Sequence, residues 1–215
     1  MMKPQDVGAS YDQLADHWDG DGFNRANGIA QHERALQFAP ASGQALDIGS
    51  GSSGRLIDLL IGHGFTVEGL DISERMIELA RARHPETVFH HADVCDWVPE
   101  KGYDFITAWD SIWHLPRAAH AATMEKILSW LRPGGVCIFT MGGVDEEGEK
   151  EDSAMGPPMY YSTLGIPQTL ALVDRAGCIC RHLEYDQHPE LHMFAIVQRP
   201  AENAETNLAP SPETR

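Results

Sequence analysis

Short apolar runs alternate along the chain with segments in which apolar residues recur every three or four positions. The first kind of run predicts buried β-strands, and the second kind predicts amphipathic helices. We expect strands at 45–48, 66–70, 87–91, 103–109 and 136–141, with helices near 54–63, 73–83 and 117–131. Because this alternation is typical of βαβ units, we predict an α/β fold with a Rossmann-like, doubly wound sheet.

The last third of the chain has a different pattern. A helix near 167–176 is followed by strands at 178–185 and 192–198, joined by only six residues. A parallel pair needs a longer crossover, so these strands should form an antiparallel C-terminal hairpin that completes a seven-stranded, mostly parallel sheet. We therefore expect a single domain over 1–200, with a cap segment at 1–30, an inserted loop at 141–165 and a disordered tail at 201–215.

The composition is that of a globular chain with an excess of acid. Of 215 residues, 42% are hydrophobic and 22% charged, which fits one domain with a sizeable core. The chain has 32 acidic and 16 basic residues and a net charge of -16, and eleven of the excess negative charges lie in 1–24, 145–152 and 201–215. Because phosphate backbones and anionic lipids attract clustered Lys and Arg, no nucleic-acid or membrane partner is expected.

Cysteine and histidine usage predicts neither a disulfide framework nor a metal site. The four cysteines contain no Cys-x-x-Cys pair, and we expect Cys178 and Cys180 to be buried thiols on one face of a strand. His188 and His192 flank Pro189 at a predicted turn, so they do not share a helical face as a metal pair would. With no leader-like start and no run of roughly 18 apolar residues, we expect a cytoplasmic protein.

A glycine-rich turn follows the first predicted strand. The sequence Gly-Ser-Gly-Ser-Ser-Gly at 49–54 leads directly into a helix, where glycines let the backbone approach a ligand and free N–H groups face it. Asp71 ends the next strand and is placed to bind ribose hydroxyls. The turn also matches the dinucleotide pattern Gly-x-Gly-x-x-Gly, so a nicotinamide cofactor and a purely structural turn are both alternatives.

Asp47, two residues before the first glycine, separates these alternatives. Asp47-x-Gly49-x-Gly51 resembles the first motif of the class I S-adenosylmethionine-dependent methyltransferases, although Ser53 stands at the family's third glycine. Further motifs follow in the family's order, at 70–73, 91–94, 103–109 and 131–135. The resemblance implies S-adenosyl-L-methionine as cofactor and the following cofactor-binding residues: Tyr11, Asp47, Gly49, Ser50, Gly51, Asp71, Ile72, Met76, Asp93, Val94 and Trp109.

The acceptor side has weaker signals. Asp110 and His114 follow the fourth strand, where loops of such sheets form the ligand crevice, and we take them as candidates for catalytic proton transfer. Trp113, Tyr160 and Tyr161 are candidate substrate contacts. The Asp/Asn-Pro-Pro-aromatic signature of DNA-amino methyltransferases is absent from this loop, which favours a small-molecule acceptor.

These signals predict a methyltransferase that moves a methyl group from S-adenosylmethionine to a small molecule, with the acceptor atom (O, N, S or C) unresolved. The acid excess favours a neutral or cationic acceptor. An NAD(P)-dependent oxidoreductase is the alternative enzyme, although no Tyr-x-x-x-Lys pair supports it. A non-catalytic cofactor-binding module is the third hypothesis, and the oligomeric state is expected to be a monomer or a homodimer.

Overall fold

The computed structural model describes residues 2–20 and 23–201, which contain six α-helices, one short 3-10 helix (Ile112–His114) and nine strands. The helices are α1 (Pro4–Asp19), α2 (Ile29–Leu36), α3 (Arg55–Gly62), α4 (Glu74–Arg83), α5 (Arg117–Ser129) and α6 (Ile166–Arg175). The strands are β1 (Gly43–Ile48), β2 (Phe65–Asp71), β3 (Val88–His91), β4 (Tyr103–Ala108), β5 (Leu131–Gly142), β6 (Gly148–Asp152), β7 (Met159–Thr163), β8 (Ile179–Tyr185) and β9 (His192–Gln198).

Seven strands form one sheet in the order β3-β2-β1-β4-β5-β9-β8. The pairs among β1 to β5 are parallel, whereas β9 runs antiparallel to both β5 and β8. The predicted fold class, including the C-terminal hairpin, is confirmed. The chain first builds outward from β1 to β3 and then crosses to β4, and the crevice at such a switch point is where open α/β sheets bind ligands.

Helices cover both faces of the sheet. On one face, α2, α3 and α4 enclose a core that includes Ile57, Leu60 and Phe105. On the other face, α5 and α6 pack a second core that includes Ile127 and Leu172. Apolar residues at three-to-four spacing within 117–131 predict a buried face, and Met124, Ile127 and Leu128 of α5 are buried accordingly. None of the helices in the described ranges has the length and apolarity needed to cross a membrane.

The segment 141–165 differs from the expected inserted loop. β5 continues to Gly142, and β6 and β7 form a separate antiparallel two-stranded sheet. The sequence of β6 lacks the apolar alternation of a strand, since four of its five residues are charged. Two of these charged side chains contact tyrosines of β7. Glu149 accepts a hydrogen bond from the hydroxyl of Tyr160 (2.5 Å), and Lys150 lies 5.0 Å from the centre of the Tyr161 ring.

Two smaller expectations also change. The helix expected over 117–131 ends at Ser129, because Leu131 already pairs with Tyr103 as the first residue of β5. Cys178 is buried, but it precedes β8, and Cys180 is exposed on that edge strand beside an irregularity between Cys180 and His182. The two thiols therefore do not lie on one buried face of a regular strand, as was expected. The predicted tail after residue 201 lies outside the described residues.

Candidate active site

A cavity of about 960 Å³ lies at the carboxyl ends of β1, β2 and β4, beneath α1. Pockets for one drug-sized ligand span roughly 300–1,000 Å³, so this cavity has room for a large ligand or for two smaller ones. All the residues predicted to bind cofactor line it, as do both predicted catalytic residues and two of the three predicted substrate contacts: Tyr11, Asp47, Gly49, Ser50, Gly51, Asp71, Ile72, Met76, Asp93, Val94, Trp109, Asp110, Trp113, His114 and Tyr161.

The turn after β1 forms part of the floor of the cavity. Gly49 and Gly51 adopt φ values of 70° and 56°, which other residues adopt only at a cost. The N–H of Gly49 donates to the carbonyl of Leu70 (2.7 Å), and the N–H of Gly51 donates to Asp71 Oδ2 (2.8 Å). Gly54 is the N-cap of α3 and takes the third left-handed position of the turn. The turn is therefore fastened to the end of β2.

Two carboxylates lie beside this turn with different environments. Asp71 also accepts from the N–H of Ser73 (2.9 Å), and burial raises the pKa of Asp71 although these backbone hydrogen bonds oppose the rise. Asp47 is buried at the end of β1, and its burial raises its pKa to about 7 despite the neighbouring Arg55 guanidinium. A carboxyl group that changes charge near neutral pH is typical of a ligand site.

Several polar groups at the turn are buried without a partner in the described part of the chain. The hydroxyls of Ser50 and Ser52 and the indole N–H of Trp18 make no hydrogen bond there, although all three residues line the cavity. Buried polar groups are normally satisfied, so unsatisfied ones at a cavity wall point to a ligand. A Cβ placed on Gly51 would meet no heavy atom of the described residues within 4 Å, so the backbone there faces open space. These features fit a ligand rich in hydroxyl and amino groups.

Helix α1 covers the cavity and is attached on both sides. Asp12 accepts from the hydroxyl of Ser73 (2.6 Å) at the start of α4, and Ser10 donates to the carbonyl of Pro158 (2.7 Å) beside β7. Gly8 lies against Ile72, where an added Cβ would come within 3.0 Å of the backbone oxygen. The predicted cap segment thus contacts both the β2–α4 connection and the β6–β7 sheet.

Tyr11 of α1 forms a hydrogen bond with His114 after β4. His114 Nδ1 lies 2.7 Å from the carbonyl oxygen of Tyr160, which only accepts, so Nδ1 carries the proton of the neutral ring. His114 Nε2 therefore accepts from the Tyr11 hydroxyl (2.8 Å) and the Trp113 indole N–H (3.2 Å). Burial lowers the pKa of His114 to about 4 and raises the pKa of Tyr11, which keeps the imidazole and the phenol uncharged.

The two tyrosines of β7 differ in their position relative to the cavity. The ring of Tyr161 lies 5.0 Å from that of His114 and lines the cavity, as predicted for a substrate contact. The side chain of Tyr160 is buried, donates to Glu149 and accepts from the N–H of Arg117 (3.0 Å), and is not part of the cavity lining. Because neighbouring residues of a strand point to opposite faces, only one of the two faces the cavity. The prediction of Tyr160 as a substrate contact is therefore wrong.

None of the acidic side chains that the structure describes in 1–24 and 145–152 lines the cavity. In 145–152, Glu147 pairs with Arg117 (2.9 Å), and Glu149 binds Tyr160. On α1, Asp16 and Asp19 pair with arginines of α4. On the acceptor side, three carboxylates line the cavity instead. Asp110 was predicted, whereas Asp186 and Glu190, on the β8–β9 turn, were not predicted for this site.

Other cavity residues also escaped prediction. Asn27, Gly28 and Gln31 come from the segment before β1, and Arg55 begins α3. Gly28 has a φ of 83° and packs against the Trp109 indole so closely that a Cβ would lie 2.9 Å from the ring. A glycine or asparagine in a loop carries no recognisable spacing, so no sequence signal was available. No group of three or more His, Cys, Asp or Glu side chains within 2–20 and 23–201 is arranged to hold a metal ion.

Comparisons with known proteins agree with this geometry. The fold is that of S-adenosylmethionine-dependent methyltransferases. One such structure is the 1,6-didemethyltoxoflavin-N1-methyltransferase of Burkholderia thailandensis, solved with 1,6-didemethyltoxoflavin and S-adenosylhomocysteine. It matches with a TM-score of 0.69 and a sequence identity of 16%, and the match covers 94% of this chain and 92% of that one. A family model described as a methyltransferase domain matches residues 23–164. The chain therefore belongs to the methyltransferase-domain family.

Curated relatives match over shorter stretches. The dTDP-3-amino-3,6-dideoxy-alpha-D-glucopyranose N,N-dimethyltransferase of Streptomyces fradiae is 33% identical over 127 residues, which cover 55% of this chain and 49% of that protein. The trans-aconitate 2-methyltransferase of Methylobacterium radiotolerans is 37% identical over 103 residues, which cover 48% and 38%. The match thus spans half or less of the length of each of these relatives.

Proposed function

We propose that this protein transfers a methyl group from S-adenosylmethionine to a small molecule. The observation that carries the proposal is the turn at 49–54, where Gly51 faces the open cavity beside the carboxylate of Asp71. Ser50 and Ser52 line the same cavity, and their hydroxyls have no partner in the described part of the chain. Family membership supports the same assignment, as does the S-adenosylhomocysteine bound to the 1,6-didemethyltoxoflavin-N1-methyltransferase of similar fold.

We assign the cofactor half to the cavity residues that the resemblance implied. Asp71 binds the ribose hydroxyls, Asp93 and Val94 contact the adenine, and Ile72 and Met76 pack beside it. The residues assigned to the methionine part include four at the glycine turn: Asp47, Gly49, Ser50 and Gly51. The other two are Tyr11 and Trp109, whose ring faces suit a sulfonium cation.

The acceptor half then needs groups that orient the acceptor and receive its proton. S-adenosylmethionine supplies an activated methyl group when bound, so no nucleophile of the protein is required. Asp110 is the proposed proton acceptor, since its carboxylate lines the cavity. His114, whose Nε2 accepts from Tyr11, is a positioning residue that orients the phenol and leaves the phenol oxygen free to bind the acceptor.

The charge of the cavity favours a small neutral or cationic acceptor, and a basic nitrogen above all. Asp110, Asp186 and Glu190 line the acceptor half. Among the described lining residues, Arg55 is the only Lys or Arg, and it lies at the turn after β1. The relatives include both an N,N-dimethyltransferase and a trans-aconitate 2-methyltransferase. Since these names point to different acceptors, an assay has to identify the acceptor atom.

Calorimetry with S-adenosylhomocysteine and NAD tests the cofactor assignment. We expect saturable binding of S-adenosylhomocysteine and no binding of NAD. Transfer from methyl-labelled S-adenosylmethionine to a panel of amines, phenols and carboxylic acids then tests the reaction, with amines as the expected acceptors. Binding of NAD alone would overturn the proposal in favour of an oxidoreductase. Binding of S-adenosylhomocysteine without transfer to any member of the panel would favour a non-catalytic module.

A further inference from the structure

His192, the first residue of β9, lies between two carboxylates at the wall of the cavity. Its Nε2 is 2.9 Å from Asp110 Oδ1, and its Nδ1 is 2.5 Å from Asp186 Oδ1. The side chains of His192 and Asp186 are only 9% and 5% exposed. Water therefore does little to screen the His192–Asp186 pair, whereas the Asp110 side chain is 29% exposed.

The two contacts together specify the charge of the imidazole. A neutral ring has one N–H and donates to one carboxylate only, whereas an imidazolium donates to both. Burial by itself lowers the pKa of His192, but hydrogen bonds and charge from Asp110 and Asp186 outweigh burial, and the pKa is raised. The rings of Trp109 and Trp113 pack on the imidazole at 5.7 and 5.5 Å, and they do not titrate.

Asp110 is held in a single orientation by this arrangement. Its Oδ2 accepts from the side-chain amide of Asn27 (3.0 Å), and its backbone N–H donates to the hydroxyl of Thr140 (2.8 Å). It has a φ of 55° and is the one non-glycine residue with positive φ within 2–20 and 23–201. Such a backbone persists only where surrounding contacts enforce it, and such residues cluster at functional sites.

The outer carboxylate is anchored in turn. Asp186 Oδ2 accepts from the side-chain amide of Gln31 in α2 (2.8 Å). The chain of hydrogen bonds therefore runs from α2 through the β8–β9 turn and β9 to the loop after β4. Glu190, on the same turn as Asp186, is a further carboxylate that lines the cavity. The ionisable neighbours that contact the His192 ring are Asp110 from the β4 side and Asp186 from the β8–β9 turn.

We propose that His192 is a positioning residue for methyl transfer: held as an imidazolium by Asp186, it donates to Asp110 and fixes that carboxylate in the orientation that receives the proton of an amine acceptor. The inference rests on the methyltransferase function proposed above. In the step, the acceptor nitrogen forms a bond to the methyl carbon while the methyl–sulfur bond breaks and leaves its electron pair on sulfur. The proton then released from the nitrogen goes to a carboxylate oxygen of Asp110.

Nitrogen NMR of the histidine-labelled protein tests the charge of His192 without any acceptor. We expect both ring nitrogens to show the imidazolium pattern at neutral pH, with a titration midpoint above the ordinary value of about 6.5. Asp186→Asn should lower that midpoint by about one pH unit or more, the shift expected from loss of a contacting carboxylate. A neutral His192 ring at pH values well below neutral would overturn the proposal.

A pair of ligands tests the action on Asp110. Sinefungin carries an amine where S-adenosylmethionine carries its S-methyl group, whereas S-adenosylhomocysteine carries no charge there. Asp110→Asn should reduce the preference for sinefungin over S-adenosylhomocysteine at least about tenfold, a factor equivalent to about 1.4 kcal/mol. His192→Asn, which removes the donor to Asp110, should approach that loss. His192→Gln restores a donor near the Nε2 position and should recover most of the preference. His188→Asn is the matched control and should change nothing.

The outcomes separate this inference from the proposed function. If the folded His192→Asn protein keeps the wild-type preference while Asp110→Asn loses it, His192 is a structural link only and the proposal fails. If Asp110→Asn also keeps the preference, Asp110 does not face the reacting position and the proposal fails as well. If the wild type binds neither ligand, the methyltransferase function fails, and the inference that rests on it falls with it. Circular dichroism identifies variants that do not fold, and for these the Asp186→Asn titration gives the decision.

Discussion

The turn after β1 contains two glycines that separate backbone strain from steric clash. Gly49 and Gly51 both have positive φ, where an alanine costs roughly 1–2 kcal/mol. A Cβ on Gly49 would lie 2.3 Å from Ser111 Cβ, whereas a Cβ on Gly51 meets no described heavy atom within 4 Å. Since overpacking adds roughly 1–3 kcal/mol, Gly49→Ala should lower the free energy of unfolding by about 2–5 kcal/mol. Gly51→Ala should lower it by only about 1–2 kcal/mol.

Urea unfolding without ligand measures these two losses, and calorimetry measures binding of S-adenosylhomocysteine. Although Gly51→Ala is the milder change for folding, its methyl group enters the space of the proposed ligand and should weaken binding about tenfold or more, or about 1.4 kcal/mol. Gly62→Ala is the control, because a Cβ there meets no described heavy atom within 4 Å and lies in α3 outside the cavity lining. Equal losses of stability for Gly49→Ala and Gly51→Ala, or unchanged binding in Gly51→Ala, would refute the reasoning.

Two carboxylates of the site give further predictions. Asp71→Asn leaves one of the N–H groups of Gly51 and Ser73 without its charged acceptor and removes the proposed ribose ligand. In calorimetry against the exposed control Asp174→Asn, it should weaken S-adenosylhomocysteine binding roughly 10- to 150-fold, which corresponds to about 1.5–3 kcal/mol. Because the pKa of Asp47 is raised to about 7, the native state binds the extra proton between about pH 4 and 7 and loses stability as the pH rises through that window. Asp47→Asn should therefore raise the free energy of unfolding by up to about 4 kcal/mol above that window and change it little near pH 4, and the reverse pH trend would contradict the assignment.

The elements with strong local patterns were predictable. The apolar runs of β1, β2 and β4 are buried strands, and the three-to-four spacing of α5 is its buried face. The β6–β7 sheet was missed because its strands are stabilised by groups outside the segment. Ser10 and Arg117 illustrate this point, since they lie outside the segment and donate to the carbonyl of Pro158 and to the hydroxyl of Tyr160. Patterning within the segment records none of these contacts.

By itself, the sequence determined the fold class, the glycine turn and the acids beside it, because Gly49, Gly51 and Asp71 lie in two short contiguous segments whose spacing follows from a strand, a turn and a helix. Only the tertiary structure decided how the side chains of the acceptor half pair with one another. The sheet order β1-β4-β5-β9 brings His192 to Asp110, and the cap helix brings Tyr11 to His114, across 82 and 103 positions of the chain. Such contacts depend on which strands become neighbours, and no periodicity along the chain encodes that choice.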